Sequence, residues 1–239
     1  MALPRIVSKD EWLAERTKLL AEEKATTRQI DALNANRRRL PMVRLDKPYR
    51  FLGAAGEVGL DDLFQGRRQL LLQHVMFDPD WDDVCGSCTA SVDELSSATI
   101  EHLAARDTSY VLVSRAPYAK LAACAERKGW TIPWYSSWGS DFNYDFDVTM
   151  DPQAQPPVYN YRALPWTVEP HTSQELPGIS CFLREGGEIF HTYSTYARGT
   201  DQLGGSYTFL DLTALGRQEE WEEPKGRVEF VNSNIPDFS

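Results

Sequence analysis

Residues 70–103 read LLLQHVMFDPDWDDVCGSCTASVDELSSATIEHL, and three successive signals in this stretch decide the architecture. Leu70 to Phe77 is a nearly continuous apolar run, as expected of a strand covered on both faces in a parallel or mixed sheet. Asp78-Pro79 ends it, and a polar loop through Trp81 leads into Cys85-Gly86-Ser87-Cys88. Beyond Cys88, the spacing of Val92, Leu95, Thr99 and Leu103 predicts one amphipathic helix that closes near Arg106. A dithiol at such a junction has a chemical use: the free amides of the first helical turn and the helix dipole favour a thiolate at the first cysteine. The second cysteine then lies near enough to attack a mixed disulfide.

Working outward, Tyr110 to Val113 predicts a strand, Tyr118 to Lys128 a helix with Gly129 as its C-cap, and Ile132 to Tyr135 another strand. This βαβαβ run implies a parallel sheet wound right-handedly. Ile179 to Leu183 and Ile189 to Tyr196 form a hairpin around Gly186-Gly187, and Tyr207 to Leu212 reads as a final strand. Asp151 to Pro170, rich in Pro, Gln and Tyr, reads as a long surface excursion. On the amino-terminal side, Tyr49 to Leu52 is a short strand, Gly53 to Gly59 is turn-rich, and Val58 to Phe64 is a short helix. Ser8 and Glu11 have capping-box spacing ahead of Trp12, Leu13, Leu19, Leu20, Ile30 and Leu33, which predicts one or two amphipathic helices ending before Pro41. The basic run Arg37 to Arg39 suits the negative end of that helix. The domain reading is therefore a helical extension over 1–45, an α/β domain over 46–217 and a charged tail over 218–239.

Charge and cysteine usage exclude several function classes. The formal net charge is −10, which repels phosphate backbones and anionic lipid head groups, so nucleic acid and membrane surfaces are not expected partners. No stretch approaches the ~20 apolar residues that span a bilayer, and the first residues lack an apolar export core. Only four cysteines occur, at 85, 88, 124 and 181, too few to staple this chain in an oxidising compartment, so a cytoplasmic location is expected. A structural zinc would take four ligands, and Cys124 and Cys181 lack a paired spacing, so neither a metal nor another cofactor is expected. Those two read as buried small hydrophobes, and Cys85 and Cys88 as a redox pair rather than inert thiols. Asp80, Asp82 and Asp83 would oppose a thiolate if they faced its sulfur. His74 reads as a core or sheet-end histidine.

At CGSC, SRAP (114–117), GSDFNYDF (139–146), HTYSTYARG (191–199) and LDLTALGR (210–217) the chain resembles a largely bacterial family. That family is catalogued as the domain of unknown function numbered eight hundred and ninety-nine and is described as thioredoxin-like or as predicted dithiol-disulfide oxidoreductases. The resemblance implies an α/β, thioredoxin-like three-layer fold with a mixed central sheet, an N-terminal helical extension and a C-terminal β-hairpin. It also implies that Cys85 is the nucleophile and Cys88 the resolving thiol. The expected partners are a disulfide-containing protein or small-molecule disulfide and a cellular reductant, and a homodimer is compatible with the sequence. Thioredoxins place a cis-proline directly before the strand that opens the hairpin; here Pro177 is followed by Gly178 ahead of the predicted strand.

The substrate-binding candidates are Trp81, Trp138, His191, Tyr193, Tyr196 and Arg198. Strand alternation would put His191 and Tyr193 on one face, with Thr192, Ser194 and Tyr196 on the other. One face could line a pocket, with Arg198 gripping an anionic group. Two other functions fit the same residues: a peroxide-reducing or small-molecule tailoring enzyme, and a non-enzymatic binding module on the same scaffold.

Overall fold

The computed structural model describes residues 3–151, 153–164, 173–203 and 205–215, together with 217, 221, 223 and 225. The chain divides into two compact units, Met1–Pro41 with Phe209–Asn234, and Met42–Thr208 with Ile235–Ser239.

The first unit contains α1 (Lys9–Arg37), a single helix where the sequence allowed one or two. The Ser8 hydroxyl accepts the Glu11 amide at 3.2 Å, and acidic residues in the first turn with Arg37 in the last complement the helix dipole. The apolar positions expected to form a buried stripe, Trp12, Leu13, Ile30 and Leu33 among them, are exposed. The predicted tail over 218–239 lies outside the described residues except at 221, 223 and 225.

The second unit is built on one mixed sheet. In chain order its elements are β1 (Val43–Arg44), β2 (Arg50–Gly53), β3 (Gly56–Gly59), β4 (Gln69–His74), α2 (Gly86–Asp93), α3 (Ser97–Ala104), β5 (Thr108–Ser114) and α4 (Tyr118–Lys128). There follow β6 (Trp134–Ser136), α5 (Phe142–Asp145), β7 (Thr149–Met150), β8 (Val158–Tyr159), β9 (Arg162–Ala163), β10 (Gln174–Glu175), β11 (Gly178–Glu185) and β12 (Glu188–Tyr196); α6 (Gly205–Leu210) spans the division at Thr208 and Phe209. The eight-stranded sheet runs β1-β12-β11-β4-β5-β6-β2-β3. β4, β5 and β6 are parallel, and β11 and β12 add to β4 as an antiparallel hairpin. A parallel crossover carrying the dithiol helix, followed by a terminal hairpin, makes the fold thioredoxin-like.

Alternation along β4 separates two apolar layers. Leu70 and Leu72 join Phe51, Phe64, Val113, Phe142, Phe146 and Phe182 on one face. Leu71 and Val75 join Val84, Cys88, Val92, Leu112, Leu121 and Trp134 on the other, under α2 and α4. Burying one such large side chain contributes about 1.5–3 kcal/mol, so both faces of β4 have an energetic reason to stay covered.

Five of the predicted features change. The helix after Cys88 breaks in two, because the Ser96 hydroxyl accepts the Thr99 amide at 3.1 Å and caps α3. Residues 53–59 hold a hairpin, with β3 paired to β2, and the short helix shrinks to a single turn over Asp62–Phe64. The segment expected as a last strand is α6, since six residues of mixed polarity do not distinguish a helical turn from a strand. Finally, the β11–β12 register shifts between Cys181 and Phe182, whose partners are Tyr193 and His191. Thr192 is thus an extra, bulged residue, and simple alternation fails from there onward.

Candidate functional site

The site is built where β4 gives way to α2. Cys85 is the N-cap of α2, in an extended backbone conformation, and its carbonyl accepts the Thr89 amide at 2.9 Å. Its own amide donates to the Met76 carbonyl at 3.0 Å, and the Met76 amide donates to the Cys88 sulfur at 3.4 Å. One residue just beyond the strand therefore holds both cysteines. They lie 4.3 Å apart, and all four cysteines are free thiols.

Their environments set them apart. Cys85 is half-buried and Cys88 buried. Hydrogen bonding from the Cys88 thiol, the largest influence, pulls the Cys85 pKa from 9.0 down to about 5 against the effect of burial. The Ser87 hydroxyl, 3.1 Å from the Cys85 sulfur, and the Ser87 and Cys88 amides act in the same sense. Cys88 is pushed well above the usual thiol range, first by its role as donor to Cys85 and then by burial. The two shifts run in opposite directions, favouring the thiolate at Cys85 and the protonated thiol at Cys88.

The upstream carboxylates do not enter this balance. Asp83 turns onto Arg127 at 2.6 Å, and Asp78 onto Arg115 at 3.0 Å. Asp83 is thus held by a cation, and the influences acting on Cys85 are burial and thiol, hydroxyl and amide donors, with none from Asp80, Asp82 or Asp83. Lys120 fixes the loop by donating to the carbonyls of Pro79 at 2.7 Å and Trp81 at 2.9 Å. Behind the dithiol helix, Gln73 donates to Ser91 at 3.0 Å and accepts from the Tyr110 hydroxyl at 2.6 Å, a neutral pair on the sheet.

Two constellations escaped the sequence reading. Arg115 lies nearly buried between Asp78 and Glu175, 3.1 Å from the latter, and donates to Ser173 at 2.9 Å and Tyr144 at 2.5 Å. Burial raises Glu175 to about 7, against the pull of Arg115. The network ties the start of the dithiol loop to the segment that enters β11. Tyr159 is the second: its hydroxyl donates to the Pro177 carbonyl and accepts the Ala197 amide, both at 2.9 Å. Burial raises its titration, and the hydrogen bond from the Ala197 amide opposes that. The sequence reading of 151–170 as a surface excursion gave no signal for it; in the structure the next two residues, Asn160 and Tyr161, turn with positive φ.

Of the substrate-binding candidates, Trp81 alone packs in the apolar cluster of Cys85 and Cys88. Trp138 is exposed beyond β6, and Arg198 pairs with Asp201 at 3.3 Å. His191 meets Phe146 edge to face and Phe182 at a tilt on the opposite face, and Tyr196 is buried there, donating to the Phe146 carbonyl at 2.9 Å. The bulge at Thr192 reverses the expected facing: His191 bonds Ser194 at 2.7 Å on its own side, while Tyr193 pairs with Cys181. HTYSTYARG therefore does not form a single wall beside the dithiol. Pro177 directly precedes β11, because Gly178 already pairs with His74 and Tyr196. A Cβ at Gly178 would lie 2.8 Å from the Tyr196 ring, which explains the glycine. Cys124 is buried and Cys181 half-buried, with burial raising the latter to about 11, far from a thiolate. Among the described residues no three His, Cys, Asp or Glu side chains are arranged to hold a metal, and no helix is long and apolar enough to cross a membrane.

The family model described as "Bacterial protein of unknown function (DUF899)" matches residues 1–233. The chain belongs to the DUF899 family. No curated protein matches this DUF899 chain. Among solved structures, it is similar to a cysteine-to-serine variant of Xylella fastidiosa PrxQ at 13% identity, covering 69% of this chain and 91% of that one with a TM-score of 0.42. A Xanthomonas campestris peroxiredoxin Q variant aligns at 12% identity over 69% and 94% of the two chains, TM-score 0.43. Apo Sco1 from Thermus thermophilus aligns at 18% over 71% and 95%, TM-score 0.34.

Proposed function

We propose that this DUF899 chain is a thiol-disulfide oxidoreductase with Cys85 as nucleophile and Cys88 as resolving thiol. The observation that supports it is the asymmetry of the pair: a half-buried sulfur at a helix N-terminus, pulled down to about 5, beside a buried sulfur pushed well above the thiol range. The Cys85 thiolate attacks one sulfur of a disulfide, forming a mixed disulfide and releasing a thiolate. Cys88 then gives up its proton and attacks Cys85, releasing the second thiol and leaving a Cys85–Cys88 disulfide. A cellular dithiol reductant returns two electrons and two protons to the pair.

In this reading Trp81 meets the incoming disulfide; it packs against the same apolar cluster as Cys85, and its carbonyl accepts from Lys120 at 2.9 Å. The test is reduction of a model disulfide by wild type, Cys85→Ser and Cys88→Ser. Wild type is expected to turn over. Cys88→Ser should stop at a trapped mixed disulfide, and Cys85→Ser should be inert. Equal rates in wild type and Cys85→Ser remove the proposal.

A further inference from the structure

The HTYSTYARG segment serves another arrangement on the face away from the dithiol. His74 Nε2 lies 2.9 Å from the Ser180 hydroxyl, Ser180 lies 2.8 Å from the Ser194 hydroxyl, and Ser194 lies 2.7 Å from His191 Nε2. This is an unbroken file of four side chains across β4, β11 and β12. Ser180 and Ser194 are buried, His74 is 2% exposed, and His191 is half-buried at the outer end. His74 Nδ1 is buried and has no hydrogen-bond partner.

That unpartnered nitrogen gives the file a direction. A buried N–H without an acceptor is costlier than a bare lone pair, so the proton of neutral His74 belongs on Nε2, donated to Ser180. Ser180 must then donate to Ser194, and Ser194 to His191 Nε2, because each hydroxyl has one hydrogen to give. We infer that His74 and His191 form a coupled hydrogen-bond switch, in which charging His191 reverses both serine hydrogen bonds and His74 exchanges its Nε2 proton for one on Nδ1, with water taking the first and supplying the second. The count closes: four hydrogens on the neutral file become five, with the fifth on His191. Nothing is oxidised or reduced.

The surroundings leave His74 as the group that feels the charge. On β1, Arg44 beside the pairing residue Val43 is engaged by Asp46 at 2.9 Å and by Glu188 of β12 at 3.0 Å. Phe182 of β11 and Phe146 beyond α5 present rings to His191, and the Tyr196 phenol on β12 is committed to the Phe146 carbonyl. Burial lowers His191 and the Tyr193 backbone raises it, whereas the charge of His191 acts on His74. Reversal must place an N–H in an apolar box of Phe142 and Phe146 rings, so His191 resists protonation more than burial alone requires.

The experiment is ¹⁵N-imidazole NMR of the whole wild-type chain across pH. His74 is expected as the Nε2–H tautomer at high pH and Nδ1–H at low pH, with its change centred on the His191 midpoint. A His74 tautomer that stays fixed while His191 titrates overturns the inference. Ser180→Ala cuts the file: the His191 midpoint should rise by about one pH unit, a tenfold gain in proton affinity, and His74 should no longer follow. An unchanged midpoint in a folded Ser180→Ala chain also overturns it, and the wild-type spectrum decides alone if that variant does not fold.

Discussion

Replacing Cys88 with alanine, which deletes the S–H donor and little else, tests the origin of the Cys85 thiolate. In wild type the Cys85 midpoint is about 5 against an ordinary 9.0. At pH 7 that means about 99 thiolates in 100, where an ordinary thiol would show about one in 100. The Cys88 thiol is the largest of the stabilising donors, while the Ser87 hydroxyl and two amides remain in the variant. The Cys88→Ala midpoint should therefore move only part of the way, to about 6 or 7, and Ser87→Ala should move it less. The assay is iodoacetamide alkylation at a series of pH values, read by mass on the peptide containing residue 85. It reports a midpoint, which differences in intrinsic nucleophilicity do not shift. Cys124 and Cys181 do not confuse it, because burial raises both. A wild-type midpoint near 9 would refute the thiolate, and an unmoved midpoint in Cys88→Ala would refute the donor assignment.

Three further outcomes follow from packing and charge. His74 is held neutral by burial, at about 3 against 6.5. Its folded value is depressed, so its contribution to stability is complete above pH 6.5 and falls by about 1.4 kcal/mol per pH unit from there toward pH 3. Urea denaturation of wild type and His74→Gln at pH 7 and pH 5 should show the wild type losing more, and equal losses would contradict it. Arg115→Met leaves Asp78 and Glu175 buried without their cation and should cost about 3–5 kcal/mol, visible as a lower Tm at pH 8. Gly178→Ala drives a methyl against Tyr196 at 2.8 Å and Val148 at 3.2 Å and should cost about 1–3 kcal/mol in the same denaturation assay.

Much of the scaffold could be read before any coordinates. α4 spans Tyr118–Lys128 as its spacing requires, Gly129 caps it with φ 68°, and the β11–β12 hairpin turns through Gly186 and Gly187, both at positive φ. These elements are written locally, in turn chemistry and apolar period. The dithiol was legible for the same reason, since its position at a strand-to-helix junction is a local pattern. What lay hidden depends on partners far apart in the chain. Arg115 lies in the SRAP stretch (114–117), but nothing local gives it a role, and only folding brings Asp78 and Glu175 to it. Tyr159 acquires meaning only when Pro177 and Ala197 meet its hydroxyl. The bulge at Thr192 was invisible because register is a property of two strands.

That single extra residue makes spacing matter as much as chemistry in the HTYSTYARG segment. Deleting Thr192 would restore regular pleating and force a choice: either the imidazole at 191 swings round to the helix-covered side, or Ser194 and Tyr196 do. Relatives of different length at this point should be aligned around the insertion before their histidines are compared. Otherwise side chains from opposite sides of the sheet would be counted as equivalents.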